Sequence, residues 1–111
     1  MADPLGPEDA KLVTLARAAR SRVGAAMGAA LRDETGRSYS GANVELKSLA
    51  LSGLQLAVAQ AVASGARGVE AAVVVGSIPG EGLDALRELA GPGVPLFLCD
   101  ASGVVIDRIL T

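Results

Sequence analysis

Val69-Glu70-Ala71-Ala72-Val73-Val74-Val75 is the stretch on which the fold turns. Consecutive valines favour extended backbone. A run without polar alternation predicts a strand buried on both faces, inside a sheet covered by helices. The elements on either side agree. Downstream, Leu83, Leu86 and Leu89 recur on one side of a helix expected from about Gly82 to Ala90, and Gly91-Pro92-Gly93 ends it. Pro95 to Cys99 reads as a strand, Asp100-Ala101-Ser102-Gly103 as a tight turn and Val104 to Ile109 as a last strand. Upstream, a helix is expected from about Ser48 to Ser64, with Gly65 as its stop. Before it, Ala26 to Arg32 and Arg37 to Ala42 form a hairpin across Asp33-Glu34-Thr35-Gly36. The first helix opens at Gly6-Pro7-Glu8-Asp9, where proline and acids suit the positive end of the dipole. Leu12, Leu15, Ala16, Ala19 and Val23 give it one apolar face, and Gly24 can end it. The order α-β-β-α-β-α-β-β predicts one α/β domain over residues 1–111. Its three helices pack in two or three layers on one five-stranded mixed sheet, with parallel pairing through right-handed crossovers in the middle. No internal repeat or linker is read.

Composition narrows the function. A chain of 111 residues can bury a core without disulfide staples. Only Tyr39 and Phe97 are aromatic, so that core must be built from Ala, Val, Leu and Ile. A net charge of −2 argues against a nucleic-acid partner, and the acids Glu8 and Asp9 accompany the one basic cluster, Arg17, Arg20 and Arg22. That cluster reads as a solvated helix end. Cys99 is the single cysteine, so no internal disulfide can form, and a reducing, cytoplasmic setting is expected. The first nine residues lack the basic and apolar regions of a signal peptide. Leu49 to Ala63, the most apolar run, is shorter than the ~20 residues a membrane span needs.

Ser40 to Val58, SGANVELKSLALSGLQLAV, raises the functional question. It opens as an active-site loop does, with an amide and a carboxylate two residues apart after Gly41. From Ser48 to Ala66 every residue is neutral, and the run carries no acid, base or metal ligand. Met27-Gly28-Ala29-Ala30-Leu31, then Gly36, then Gly41-Ala42-Asn43-Val44-Glu45 resembles the small cytidine deaminases, whose pattern is V-G-A-A-L, a D-G turn and G-x-N-V-E. Ala61 to Gly65 looks like the end of that family's second helix and Leu86 to Leu89 like part of its third, so the likeness spans nearly the whole chain.

In that family the second helix begins near C-A-E and the third near P-C-x-x-C. Three thiolates hold zinc, and the glutamate moves protons while zinc-bound hydroxide attacks the base. Aligned from the helix end, C-A-E falls here on Ser52-Gly53-Leu54, and P-C-x-x-C meets Ile78-Pro79-Gly80-Glu81-Gly82. No Cys, His, Asp or Glu lies between Glu45 and Glu70. The aromatic residue two before V-G-A-A-L is Ala25 here, so a stacking platform is also missing. Zinc needs about four N, S or O ligands, of which the protein supplies at least three. Ser52 is a poor ligand, Glu81 is one carboxylate and Cys99 lies in a strand remote from the zinc position of the family fold. The expectation is a degenerate member with no cofactor, no metal site and no catalytic residue of the conventional kind.

The resemblance implies that Asn43 and Glu45 bind ribose hydroxyls. The plainer reading is that Asn43 holds its loop by side-chain to backbone hydrogen bonds while Glu45 caps the following helix. Lys47 is also placed to pair with Glu45. Gly76 to Gly82 reads as an anion cradle or, more plainly, as a strand-to-helix loop. Glu81 in that loop reads as an acid or as a first-turn dipole partner, and Cys99 as a small buried hydrophobe. Three functions are therefore open: a non-catalytic scaffold or interaction module, a nucleoside or other small-molecule binder using Asn43 and Glu45, and a hydrolase with an altered, zinc-free site built from Glu45, Glu81 and Ser52. A homo-oligomer, dimer or tetramer, is expected in each case. Leu49, Leu51, Leu54, Leu56, Val58 and Val62 wrap around the second helix, one sheet covers only one side of it, and the resemblance implies self-association. A charge at Ala57 or Gln60 is expected to split that assembly.

Overall fold

The computed structural model describes residues 5–77 and 80–111. Helix α1 spans Pro7–Val23, with Glu8 and Asp9 in its first turn and Arg20 and Arg22 in its last. Gly24 ends it at φ 64°, a left-handed conformation suited to glycine. Strands β1 (Met27–Asp33) and β2 (Ser38–Ala42) form the expected hairpin. A small two-stranded ribbon follows, β3 (Val44–Glu45) and β4 (Ala50–Leu51). Then come α2 (Gly53–Ala63), β5 (Val69–Gly76), α3 (Leu83–Ala90), β6 (Pro95–Cys99) and β7 (Val105–Leu110). The main sheet has five strands in the order β2-β1-β5-β6-β7. Strands β5 and β6 are parallel neighbours, while β1–β2, β1–β5 and β6–β7 are antiparallel. The α2 crossover carries the chain from β2 past β1, so β5 lands beside an antiparallel neighbour. Parallel adjacency thus begins only at β6.

The three valines of β5 explain the layering. Val73 and Val75 join Leu12, Ala16, Ala30, Phe97 and Cys99 in the core beneath α1. Val74 and Ala72 join Met27, Leu31, Leu54, Val58, Leu86 and Leu96 in the core beneath α2 and α3. The domain is three layers, α/β/α, with β5 buried on both faces as its composition predicts. Close approach depends on glycine. A Cβ at Gly28 would collide with the carbonyl oxygen of Ala16, so α1 sits directly on β1.

Two hairpins share one turn device. The Asp33 carboxylate accepts hydrogen bonds from Thr35 N, Thr35 Oγ1 and Arg37 N, and Tyr39 donates to its second oxygen at 2.8 Å. The Asp100 carboxylate accepts the corresponding three from Ser102 N, Ser102 Oγ and Val104 N. Both turns read Asp-x-Ser/Thr-Gly, a short recurrence that a search for long repeats passes over. The Thr35 hydroxyl bond, helped by Tyr39 and two backbone amides, holds the Asp33 carboxyl down at about 2 against the opposing effect of burial. On β1, Arg32 donates to Asp9 at 3.0 Å and to Glu70 at 2.8 Å, tying the start of α1 to the sheet.

One expected element changes. The second helix begins at Gly53, five residues after the expected Ser48. Ser52 Oγ accepts from Gln55 N while Gln55 Oε1 accepts from Ser52 N, a reciprocal capping box that fixes the start. The residues before it turn back instead. Leu46 and Leu49 exchange backbone hydrogen bonds around Lys47-Ser48, which makes a tight hairpin of β3 and β4.

Candidate functional site

The start of α2, the β3–β4 ribbon and the residues before α3 enclose an open depression of ≈ 290 Å³. Met27, Asn43, Val44, Glu45, Ala50, Leu51, Ser52, Gly80 and Glu81 line it. The residues singled out from sequence, Asn43, Glu45, Ser52 and Glu81, therefore come together. Ile78 and Pro79 of the Gly76–Gly82 loop lie outside the described residues.

The polar groups at this depression are largely engaged in holding the fold. Asn43 Oδ1 accepts from Gly53 N at 2.8 Å, as the loop-holding reading expects. Ser52 Oγ accepts from Gln55 N at 3.0 Å and donates to the Glu81 carbonyl at 2.6 Å. The first and third amides of α2 thus have side-chain acceptors, which leaves little of an anion site at that helix end. Glu45 does not cap α2. It lies in β3 opposite Ala50, is exposed, and forms no ion pair with Lys47 among the described residues. Capping falls to Ser52, because the β3–β4 turn takes Glu45 away from the helix start. Glu81 is not in the first turn of α3 either. Gly82 is the N-cap and Asp84 is the acid within that turn.

The next two positions of α2 face the protein, not the depression. A Cβ on Gly53 would lie 2.9 Å from the Gly41 carbonyl oxygen and 3.2 Å from that of Met27. Only glycine lets α2 rest this closely on β1 and β2. Leu54 is 0 % exposed, within the core that also holds Met27, Leu31, Ala57, Val58 and Leu86. A model of the cytidine deaminase-like family matches residues 5–103. The chain belongs to that family. Among solved structures it is similar to cytidine deaminase from Burkholderia pseudomallei, with 28% identity, TM-score 0.74, 91% of this chain covered and 89% of that one. Cytidine deaminase from Mycobacterium tuberculosis gives 26% identity and TM-score 0.67 over 78% of this chain and 80% of that one. The Mycobacterium leprae enzyme, at 24% identity and TM-score 0.69 over 85% and 89%, shares the fold. No curated protein is significantly similar to the chain.

The family implies zinc, so the donor set must be weighed against it. Among the described residues no three Cys, His, Asp or Glu side chains gather to hold a metal. The Ser52 hydroxyl donates to the Glu81 carbonyl oxygen. Leu54 offers no donor atom. Cys99 packs with Leu12, Ala16 and Phe97 on the α1 face of the sheet, away from the α2 start, and burial pushes its thiol up to about 11. Two exposed carboxylates and an amide remain, and they do not fit a three-ligand zinc site. Sequence reasoning missed Met27, Val44, Ala50, Leu51 and Gly80 as lining residues. The Ser52-x-x-Gln55 pattern was the available signal for the true helix start, and with it for the β3–β4 ribbon.

Proposed function

We propose that this is a non-catalytic member of the family, a scaffold or interaction module that keeps the architecture without the metal chemistry. One observation carries the reading: Leu54, which falls on the family's proton-transferring glutamate when the two are aligned from the helix end, is fully buried core. An apolar side chain there can neither take a proton from water nor deliver one to a base. Without a metal to lower the pKa of water, no hydroxide nucleophile forms near neutral pH. Product analysis after incubation with cytidine and deoxycytidine tests this. The expected result is no uridine, deoxyuridine or ammonia. Ammonia release that disappears on changing Ser52, Glu45 or Glu81 would instead support a hydrolase with an altered site.

The proposed module is a homo-oligomer. Along α2, Ala59, Val62 and Ala63 face outward, and Val62 is 55 % exposed. Beside them an apolar groove of ≈ 290 Å³ runs between α2 and α3, lined by Val58, Val62, Ala85, Glu88 and Leu89. Leu46 and Leu49 at the tip of the β3–β4 hairpin are 62 % and 49 % exposed. Helix α1 packs on the opposite face of the sheet and cannot cover this surface. Ala57 is 0 % exposed, so a charge there would disrupt the core and not an interface. The useful positions are Ala59 and Val62.

A second reading has one specific support. Asn43 and Glu45, the pair matching the family's ribose contacts, line one depression, and the Asn43 amide NH2 has no partner among the described residues. A nucleoside titration followed by calorimetry separates this reading from the scaffold.

A further inference from the structure

We infer that Ser52 is a clasp, holding the start of α2 to the start of α3 by a hydrogen bond where the family uses a metal. The inference rests on the metal-free reading of the site. Its hydroxyl does two things at once. The oxygen caps α2 by accepting from Gln55 N at 3.0 Å, and the proton bridges to the Glu81 carbonyl at 2.6 Å, one residue before the α3 N-cap. A serine hydroxyl supplies one donor and two acceptor lone pairs, so both bonds can form together. A cysteine thiol here would be weak in both roles.

The packing around the clasp is built for the same contact. Gly82 adopts φ +111°, and a Cβ there would lie 3.0 Å from both Gln55 N and Leu54 Cβ. The N-cap of α3 therefore sits directly on the first turn of α2, in a left-handed conformation that strains any side chain and with tight contact for a Cβ. Leu54 and Leu86, from the first turns of the two helices, are both fully buried in one core. The helix starts are thus joined by a polar bond outside and apolar packing inside, and neither requires an ion.

Three variants separate the clasp from the cap. Ser52→Asp keeps a capping acceptor but has no proton for the Glu81 carbonyl. Ser52→Asn has both an acceptor and a donor. Ser52→Ala has neither. Amide hydrogen exchange reports each junction independently: Gln55 N reads the cap, and Leu86 N, bonded to Gly82 O at 2.9 Å, reads the first turn of α3. Rates are taken relative to a core-strand amide such as Val73. In Ser52→Asp, Leu86 should exchange roughly 3- to 10-fold faster while Gln55 stays protected, the change expected for one lost hydrogen bond. Ser52→Asn should restore Leu86 towards wild type, and Ser52→Ala should release both amides. An unchanged Leu86 rate in Ser52→Asp overturns the clasp. Zinc added to the wild-type protein should alter neither rate. Zinc-dependent slowing would overturn the metal-free reading instead.

Discussion

Replacing Leu54 by glutamate restores the C-A-E glutamate in the register aligned from the helix end, and the full burial of Leu54 predicts that the protein will not tolerate it. Leu54 is 0 % exposed, packed in the core with Met27, Leu31, Val74 and Leu86. Removing the leucine side chain alone is expected to cost about 2–5 kcal/mol, as for other buried leucines. An ionised carboxylate in the same space adds several kcal/mol more, unless it takes up a proton. The sum, about 5 kcal/mol or more, is comparable with the whole stability of a typical domain, roughly 5–15 kcal/mol. Leu54→Glu should therefore be largely unfolded or strongly destabilised at neutral pH, and partly rescued as pH falls and the carboxyl is neutralised. Leu54→Met, which conserves volume, should cost less than about 1.5 kcal/mol. Urea unfolding followed by circular dichroism measures both variants against wild type. If Leu54→Glu unfolds within about 0.5 kcal/mol of wild type, the side chain reaches the depression and the core assignment is wrong.

Two further outcomes are expected. The Asp33 carboxyl is held at about 2, chiefly by the Thr35 hydroxyl, well below its unfolded value near 4. A depressed folded-state pKa makes its stabilisation complete above about pH 4 and progressively lost as pH falls through about 2. Asp33→Asn should flatten that part of an acid-denaturation profile, whereas an unchanged acid limb would show the network contributes nothing; Asp100, shifted in the same direction by Ser102, accounts for a further share. Light scattering at micromolar concentration should give a dimer or tetramer mass that falls to the monomer in Val62→Lys. A wild-type monomer would refute self-association, and an intact Val62→Lys oligomer would move the interface off this face of α2.

How much of this was legible beforehand varies with the kind of interaction. The burial of β5 on both faces was, because Val73, Val74 and Val75 have no polar alternation, while the choice between two layers and three was not. The helix ends set by glycine and proline were also legible at Pro7 and Gly24. The start of α2 was misplaced because Leu49, Ala50 and Leu51 look helical by composition. A two-residue turn at Lys47-Ser48, with backbone bonds between Leu46 and Leu49, turned that segment into a ribbon. Local signals existed in the Ser52-x-x-Gln55 box, and they were weaker than the apolar run. The site was half visible: Asn43, Glu45, Ser52 and Glu81 do converge, but their roles depend on partners distant in the chain. Ser52 and Glu81 are 29 residues apart, and no spacing rule relates them. The Arg32–Asp9–Glu70 tie was hidden for the same reason.

Metal content tests the metal-free site most directly. The purified protein, incubated with excess zinc and then dialysed, should carry far less than one zinc per chain by elemental analysis, because the depression offers two carboxylates where about three ligands are required. About one tightly held zinc per chain would contradict the account at its centre.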